Sequence, residues 1–180
     1  MLLLAALAAD LRPGMELIYA SAGRDQAPWV VEVLERGLPL KDGADCARLG
    51  IRRQPGRTEA DDSRLCLDGS TLYAWDATAR GWVPQRPVGP HMQLTLPRPN
   101  GDQVRYETGA VAEELIGALR IAVVATTVTT VDSSGRPKRR LRERYAVGLA
   151  TATGGVFEVP DATAPDGWRT EQAFELRAIR

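Results

Sequence analysis

Few residues in this chain could do chemistry. His91 is the only histidine among the 180 residues. It lies between Pro90 and Met92, with no Ser or Cys nucleophile pattern beside it. A catalytic imidazole needs a nucleophile and an orienting acid within hydrogen-bond reach. His91 therefore reads first as a surface or edge residue, and only second as the centre of a hydrolytic enzyme. The sequence has no nucleophile elbow, phosphate loop, dinucleotide fingerprint or metal-ligand spacing. No cofactor, no metal and no catalytic residue is expected. Asp61-Asp62 and Glu113-Glu114 are adjacent carboxylates. Neighbours on a strand point to opposite faces, so solvated charge is the plainer reading of both pairs.

Lys138, Arg140, Arg142 and Arg144 repeat at every second position. On a strand they share one face, about 6.6–6.8 Å apart. Such a row could engage a membrane head group, a polyanion or an acidic protein. Its simpler role is a solvated sheet face, or an edge kept from aggregating by charge. Trp29, Trp75, Trp82 and Trp168, with Tyr19, Tyr73, Tyr106 and Tyr145, carry most of the aromatic surface. Core packing is their default role. On a curved sheet Trp75, Trp82 and Tyr145 are the residues placed to meet an apolar ligand.

Cys46 and Cys66 are the only cysteines, with Pro55-Gly56 midway between them. A hairpin centred on that turn sets them nearly opposite each other, within reach of a disulfide. Two reduced core cysteines fit the same spacing. A metal or catalytic thiol fits less well, because no histidine or second cysteine pair accompanies them. Residues 1–9 form an apolar run ending in Ala6-Leu7-Ala8, which resembles a signal-peptidase site. They read as the remnant of an export signal, or else as an ordinary apolar strand or short helix. Export would place the cysteines in an oxidising compartment, the periplasm or cell envelope.

These side chains must be held by strands. Acidic and basic residues cancel, so no global field draws the chain to nucleic acid. The 17 glycines and 12 prolines punctuate it as strand and turn. Ile121–Val131 is rich in Val and Thr, which fit a pleated sheet better than a helix. Asp132–Pro137 is turn chemistry, and the return strand alternates. With Ser134-Gly135 as the loop, Val124 faces Tyr145, Thr126 faces Glu143 and Val128 faces Leu141. The other face pairs Ala125 with Arg144, Thr127 with Arg142 and Thr129 with Arg140. A slip of one residue would bury four cations, so the pattern fixes the register.

Other strands are expected at Met15–Ala20, Trp29–Leu34, Cys46–Arg53, Arg64–Leu67, Thr71–Trp75, Met92–Leu96 and Val104–Glu107. Val111–Leu119 is a strand or a short helix, with strand preferred because glycines bracket it. Phe157–Val159 and Trp168–Ile179 follow the central hairpin. Pro84–Pro90 is expected as a proline-rich crossing. The expected fold is mainly β. It is a curved antiparallel meander, half-barrel or barrel, of about ten strands with little helix, forming a single domain over residues 10–180.

The segment Thr127–Phe157 carries a Thr/Val strand, a turn, then Glu143-Arg144-Tyr145 and a Gly148-Leu149 step. In this it resembles small exported bacterial β-sheet proteins of uncharacterised function. The layout is similar to the LolA/LolB-like half-barrel group. That resemblance implies an exported half-barrel, lipoprotein-like, handling lipidated or apolar cargo. The sequence thus favours an exported binding or envelope-structural module holding an apolar or lipid-like ligand on its concave face. The alternatives are an interaction module using residues 138–144, and a hydrolytic enzyme around His91.

Overall fold

The computed structural model describes residues 12–22, 29–36, 45–52, 63–149 and 151–180. The expected export signal and the turn at Pro55-Gly56 lie outside these residues. The strands are β1 (Glu16–Ala22), β2 (Trp29–Arg36), β3 (Asp45–Arg52), β4 (Ser63–Asp68), β5 (Thr71–Asp76) and β6 (Gly81–Pro87). They continue as β7 (Gln93–Pro97), β8 (Gln103–Ile116), β9 (Leu119–Val131), β10 (Pro137–Ala146), β11 (Thr151–Pro160) and β12 (Trp168–Ile179). A buried 3-10 turn, Val147–Leu149, joins β10 to β11.

All twelve strands belong to one antiparallel sheet, in the order β6-β5-β4-β3-β2-β1-β12-β11-β10-β9-β8-β7. The two edges, β6 and β7, are consecutive in sequence. Laid flat, twelve strands would separate those edges by roughly 53 Å, at about 4.8 Å per step. Val88–Met92 can span only about 20 Å fully extended. The sheet must therefore roll, and it does so without closing, because no ladder joins β6 to β7 among the described residues.

The central hairpin has the register that alternation dictates: Val124 opposite Tyr145, Thr126 opposite Glu143, Val128 opposite Leu141. Its turn is wider than a two-residue loop. The backbone N–H of Asp132 donates to Arg136 O at 2.9 Å, and Gly135 takes φ 83°. A bulge at Lys138, between Pro137 and Arg139, then restores the register.

Several boundaries differ from the sequence reading. Strand β8 runs unbroken through Gly109, because Gly109 and Ala110 are accommodated as a bulge opposite Ala125. It stops at Ile116, and Gly117-Ala118 forms a tight turn into β9. The proline-rich stretch is no mere crossing, since β6 extends through Pro84 to Pro87. An edge strand tolerates proline because its free side needs no N–H donor. Twelve strands stand where about ten were expected.

The rolled sheet is capped at one end. β10 pairs with β9 only as far as Ala146 opposite Val123, so the tip of the β8–β9 hairpin overhangs. Along β9 the buried positions change parity: Ile121 and Val123 are buried, and then Val124 and Thr126. Ile116 and Leu119 pack on a cluster containing Leu17, Tyr19, Leu149 and Leu176. Toward the other end the inward residues Leu94, Leu96, Val128, Leu141, Phe157 and Phe174 are only half-buried.

Cys46 lies directly opposite Cys66 in the β3–β4 ladder, and a disulfide joins them across a sequence separation of 20. A loop of that size constrains the unfolded chain by about 3 kcal/mol. The Cys46→Ala/Cys66→Ala double variant is expected to lose about that much unfolding free energy in a urea titration. Wild-type protein in strong reductant should follow the same curve. Overlapping curves for the wild type with and without reductant would rule out a stabilising disulfide.

Candidate functional site

The inward face of the sheet carries one buried charged residue from β10, while the exposed Arg139 lies over the Phe157 ring at 4.4 Å. Leu141, Glu143 and Tyr145 alternate inward, and Glu143 faces Thr126 on β9. A carboxylate among apolar neighbours is costly unless a cation meets it. Arg86 does so from the far edge of the sheet: its Nη2 donates to Glu143 Oε1. The two side chains are 14% and 4% exposed. The guanidinium lies over aromatic faces, with Cζ 3.9 Å from the Tyr145 ring centre and 5.9 Å from that of Tyr106. Burial opposes the charge on Arg86, but Glu143 and the two phenol rings outweigh it and hold the pKa above its usual value. Burial pushes the Tyr145 and Tyr106 phenols upward against the pull of Arg86. Arg86 therefore stays charged and the two phenols stay neutral across the physiological range.

The chain around Arg86 is anchored from both sides. The Val88 N–H donates to Ser70 O at 2.9 Å, extending the β5–β6 pairing. Thr108 then clamps the connection: its hydroxyl donates to Gly89 O at 2.6 Å and accepts from the Met92 N–H at 2.8 Å. Its own N–H donates to Met92 O at 2.9 Å. The clamp sits at the β8 bulge, which turns these groups toward the connection. Below the ion pair, the Tyr19 hydroxyl donates to Ala152 O at 2.9 Å and pairs with Thr151 Oγ1 at 2.7 Å. Phe174 lies across Gly155, where a Cβ would stand 2.9 Å from the ring.

The structure does not bring Trp75, Trp82 and Tyr145 together. Tyr145 lies in the interior, 4% exposed. Trp75 pairs with Trp82 across β5 and β6, ring centres 5.5 Å apart. By alternation that pair sits on the face opposite Leu72, which belongs to the core.

Each member of the row Lys138, Arg140, Arg142 and Arg144 meets a carboxylate. Lys138 Nζ lies 2.8 Å from Asp102. Arg140 and Arg142 each reach Glu158 at 2.6 Å, and Arg144 pairs with Glu114. Arg140 also lies over Trp168, at 4.3 Å. Arg144 lies over Gly154, where an added Cβ would stand 3.2 Å from its Cζ. His91 is exposed at φ 53°, and its backbone N–H donates to Gly109 O at 3.1 Å. No acid or nucleophile hydrogen-bonds its ring among the described residues. Those residues also hold no group of three metal-ligating side chains.

Arg86 escapes a reading of the sequence. The inward Glu143, flanked by Leu141 and Tyr145, signals that some cation must reach it. Nothing in the stretch Pro84-Gln85-Arg86-Pro87 says that this arginine is the one.

No protein family matches the chain, and no curated protein is similar to it in sequence. Among solved structures, one from Bacteroides fragilis has a YmcC-like fold and is provisionally described as exported. It covers 94% of this chain and 96% of its own, with a TM-score of 0.56 and 8% identity. The two share a fold. A LolA superfamily protein from Nitrosomonas europaea aligns over 92% of this chain and 84% of its own at 10% identity. Its TM-score of 0.28 is too low to indicate a common fold.

Removing one partner of a buried ion pair strands the other. Arg86→Met is expected to destabilise by about 3–5 kcal/mol, while Arg86→Met/Glu143→Leu recovers most of that loss. Urea denaturation of the two variants measures both, and equal losses would contradict the pairing. Glu158 gives a pH test. Arg140, ahead of Arg142, holds its carboxyl below the usual value despite burial. A depressed carboxyl contributes stability above its unfolded pKa and loses it as pH falls through the folded value. Glu158→Gln should therefore be less stable than wild type at neutral pH, and the gap should close as pH falls below the usual glutamate range. Thermal melts across that range would show the two curves converge.

Proposed function

We propose that this protein is an exported binding module that holds an apolar, lipid-like molecule against the inner face of its rolled sheet. One observation carries this reading. The inward residues away from the capped end, Leu94, Leu96, Val128, Leu141, Phe157 and Phe174, are apolar yet only half-buried. Val104 and Tyr106 on the same stretch of wall are buried, so the half-covered residues form a bounded apolar patch beside them. Contiguous uncovered apolar surface of this kind marks binding sites more often than random exposure. Export is supported by the Cys46–Cys66 disulfide, which suits an oxidising compartment. The fold shared with a protein provisionally described as exported points the same way. The row Lys138–Arg144 supports a partner surface less well, because carboxylates of the same sheet meet it.

The test is native mass spectrometry of protein prepared without detergent after exposure to envelope lipids, beside organic extraction of the same sample. A bound mass of lipid size is expected. It should vanish in Leu141→Asp, which places a charge on the wall. A clean unliganded mass for wild type would overturn the reading.

A further inference from the structure

The inner wall leads down to the Arg86–Glu143 pair, and the hydrogen bonding of that pair is incomplete. A guanidinium carries five N–H donors in a fixed fork. The single hydrogen bond of Arg86 goes from Nη2 to Glu143 Oε1. Its Nε is fully buried and meets no acceptor. The hydrogen bond to Glu143 goes to Oε1, and Oε2, which is not sealed from the interior space, keeps its accepting positions among the described residues. Buried polar groups in folded proteins are rarely left without partners, and each such group carries a desolvation penalty. Here donor and acceptor remain open side by side. They lie one inward residue below Leu141, about 6.8 Å along β10.

The charge balance restricts what could complete them. Arg86 and Glu143 already neutralise each other. A free carboxylate or phosphate accepting from Arg86 would be a second anion beside Glu143, in surroundings that screen charge poorly. An amine donating to Glu143 would be a second cation beside Arg86. An uncharged group that both accepts and donates satisfies the two residues at once. A primary amide or a hydroxyl has that chemistry. An ester alone offers no donor.

We infer that the ligand of the inner wall is an apolar chain with an uncharged head that donates and accepts hydrogen bonds, such as an amide or hydroxyl, seated against the Arg86–Glu143 pair. This rests on the apolar-ligand reading and adds the head group. Arg86 and Glu143 then determine specificity, discriminating against chains of the same length that end in an acid.

Displacement of a neutral naphthylamine fluorophore from the wild-type protein by dodecanamide and by dodecanoate, at pH 8, separates the possibilities. The amide is expected to displace the probe at least tenfold more effectively than the acid. Glu143→Gln removes the anion and leaves Arg86 unbalanced, so the preference should invert toward the acid. Equal displacement by amide and acid in wild type would overturn the head-group assignment and leave the apolar site standing. So would an unchanged preference in a folded Glu143→Gln variant. If the wild-type protein binds neither the probe nor either chain, the apolar-ligand reading falls with it. The wild-type comparison decides alone if the variant does not fold.

Discussion

The architecture depends on a constraint of length. Five residues, Val88–Met92, must join the two edges of a sheet that would be several times wider if flat. The sheet answers by rolling, and twist alone would not bring its edges together. Thr108 then fastens the connection with hydrogen bonds to Gly89 and Met92, where the β8 bulge offers its side chain and N–H together. Covalent continuity, Thr108 and the bond from the His91 N–H to Gly109 O thus hold a seam that no ladder closes. Arg86 stands just before that connection, so the rolling carries it across the interior to β10.

The two faces of β10 treat charge in opposite ways. Outward, Arg140 and Arg142 share Glu158, and Arg144 meets Glu114 at the surface. These pairs are cross-strand contacts of the ordinary kind, and most are partly solvated. Inward, a single carboxylate meets a single arginine between aromatic rings. A buried pair contributes little net stability, since desolvation offsets most of the attraction. Its effect is on geometry: with Glu143 fixed in β10, β6 can settle in only one place across the opening.

The central hairpin was legible because its pattern is strict. Val, Thr and Leu alternate against arginines from Ala125 to Tyr145, and any slip reverses both faces. Cys46 and Cys66 were legible as neighbours because they sit symmetrically about a Pro-Gly pair in the sequence, and the ladder sets them opposite. The continuity of β8 was obscured by Gly109, because a glycine that ends a strand and one that bulges it look alike in sequence. The cap was obscured for another reason. Ile121 and Val123 are buried on one face and Val124 on the other, so no single period describes β9. Arg86 was hidden because its partner is 57 residues away, on a strand eight ladders distant in the sheet. Local spacing carries no trace of such a contact.

The strand order also describes how conformational entropy is distributed. Every ladder but one joins strands that follow each other in sequence. Each of those closes a short loop and can form from its own hairpin. The exception is β1 with β12, where Leu17 meets Ile179 and nearly the whole chain is the loop. Loop-closure entropy grows slowly with length, but here almost all of its long-range part falls on one event. The molecule is kinetically two local meanders and one encounter between them. Tyr19, whose hydroxyl reaches Thr151 and Ala152 across that junction, makes bonds that exist only once the two meanders have met.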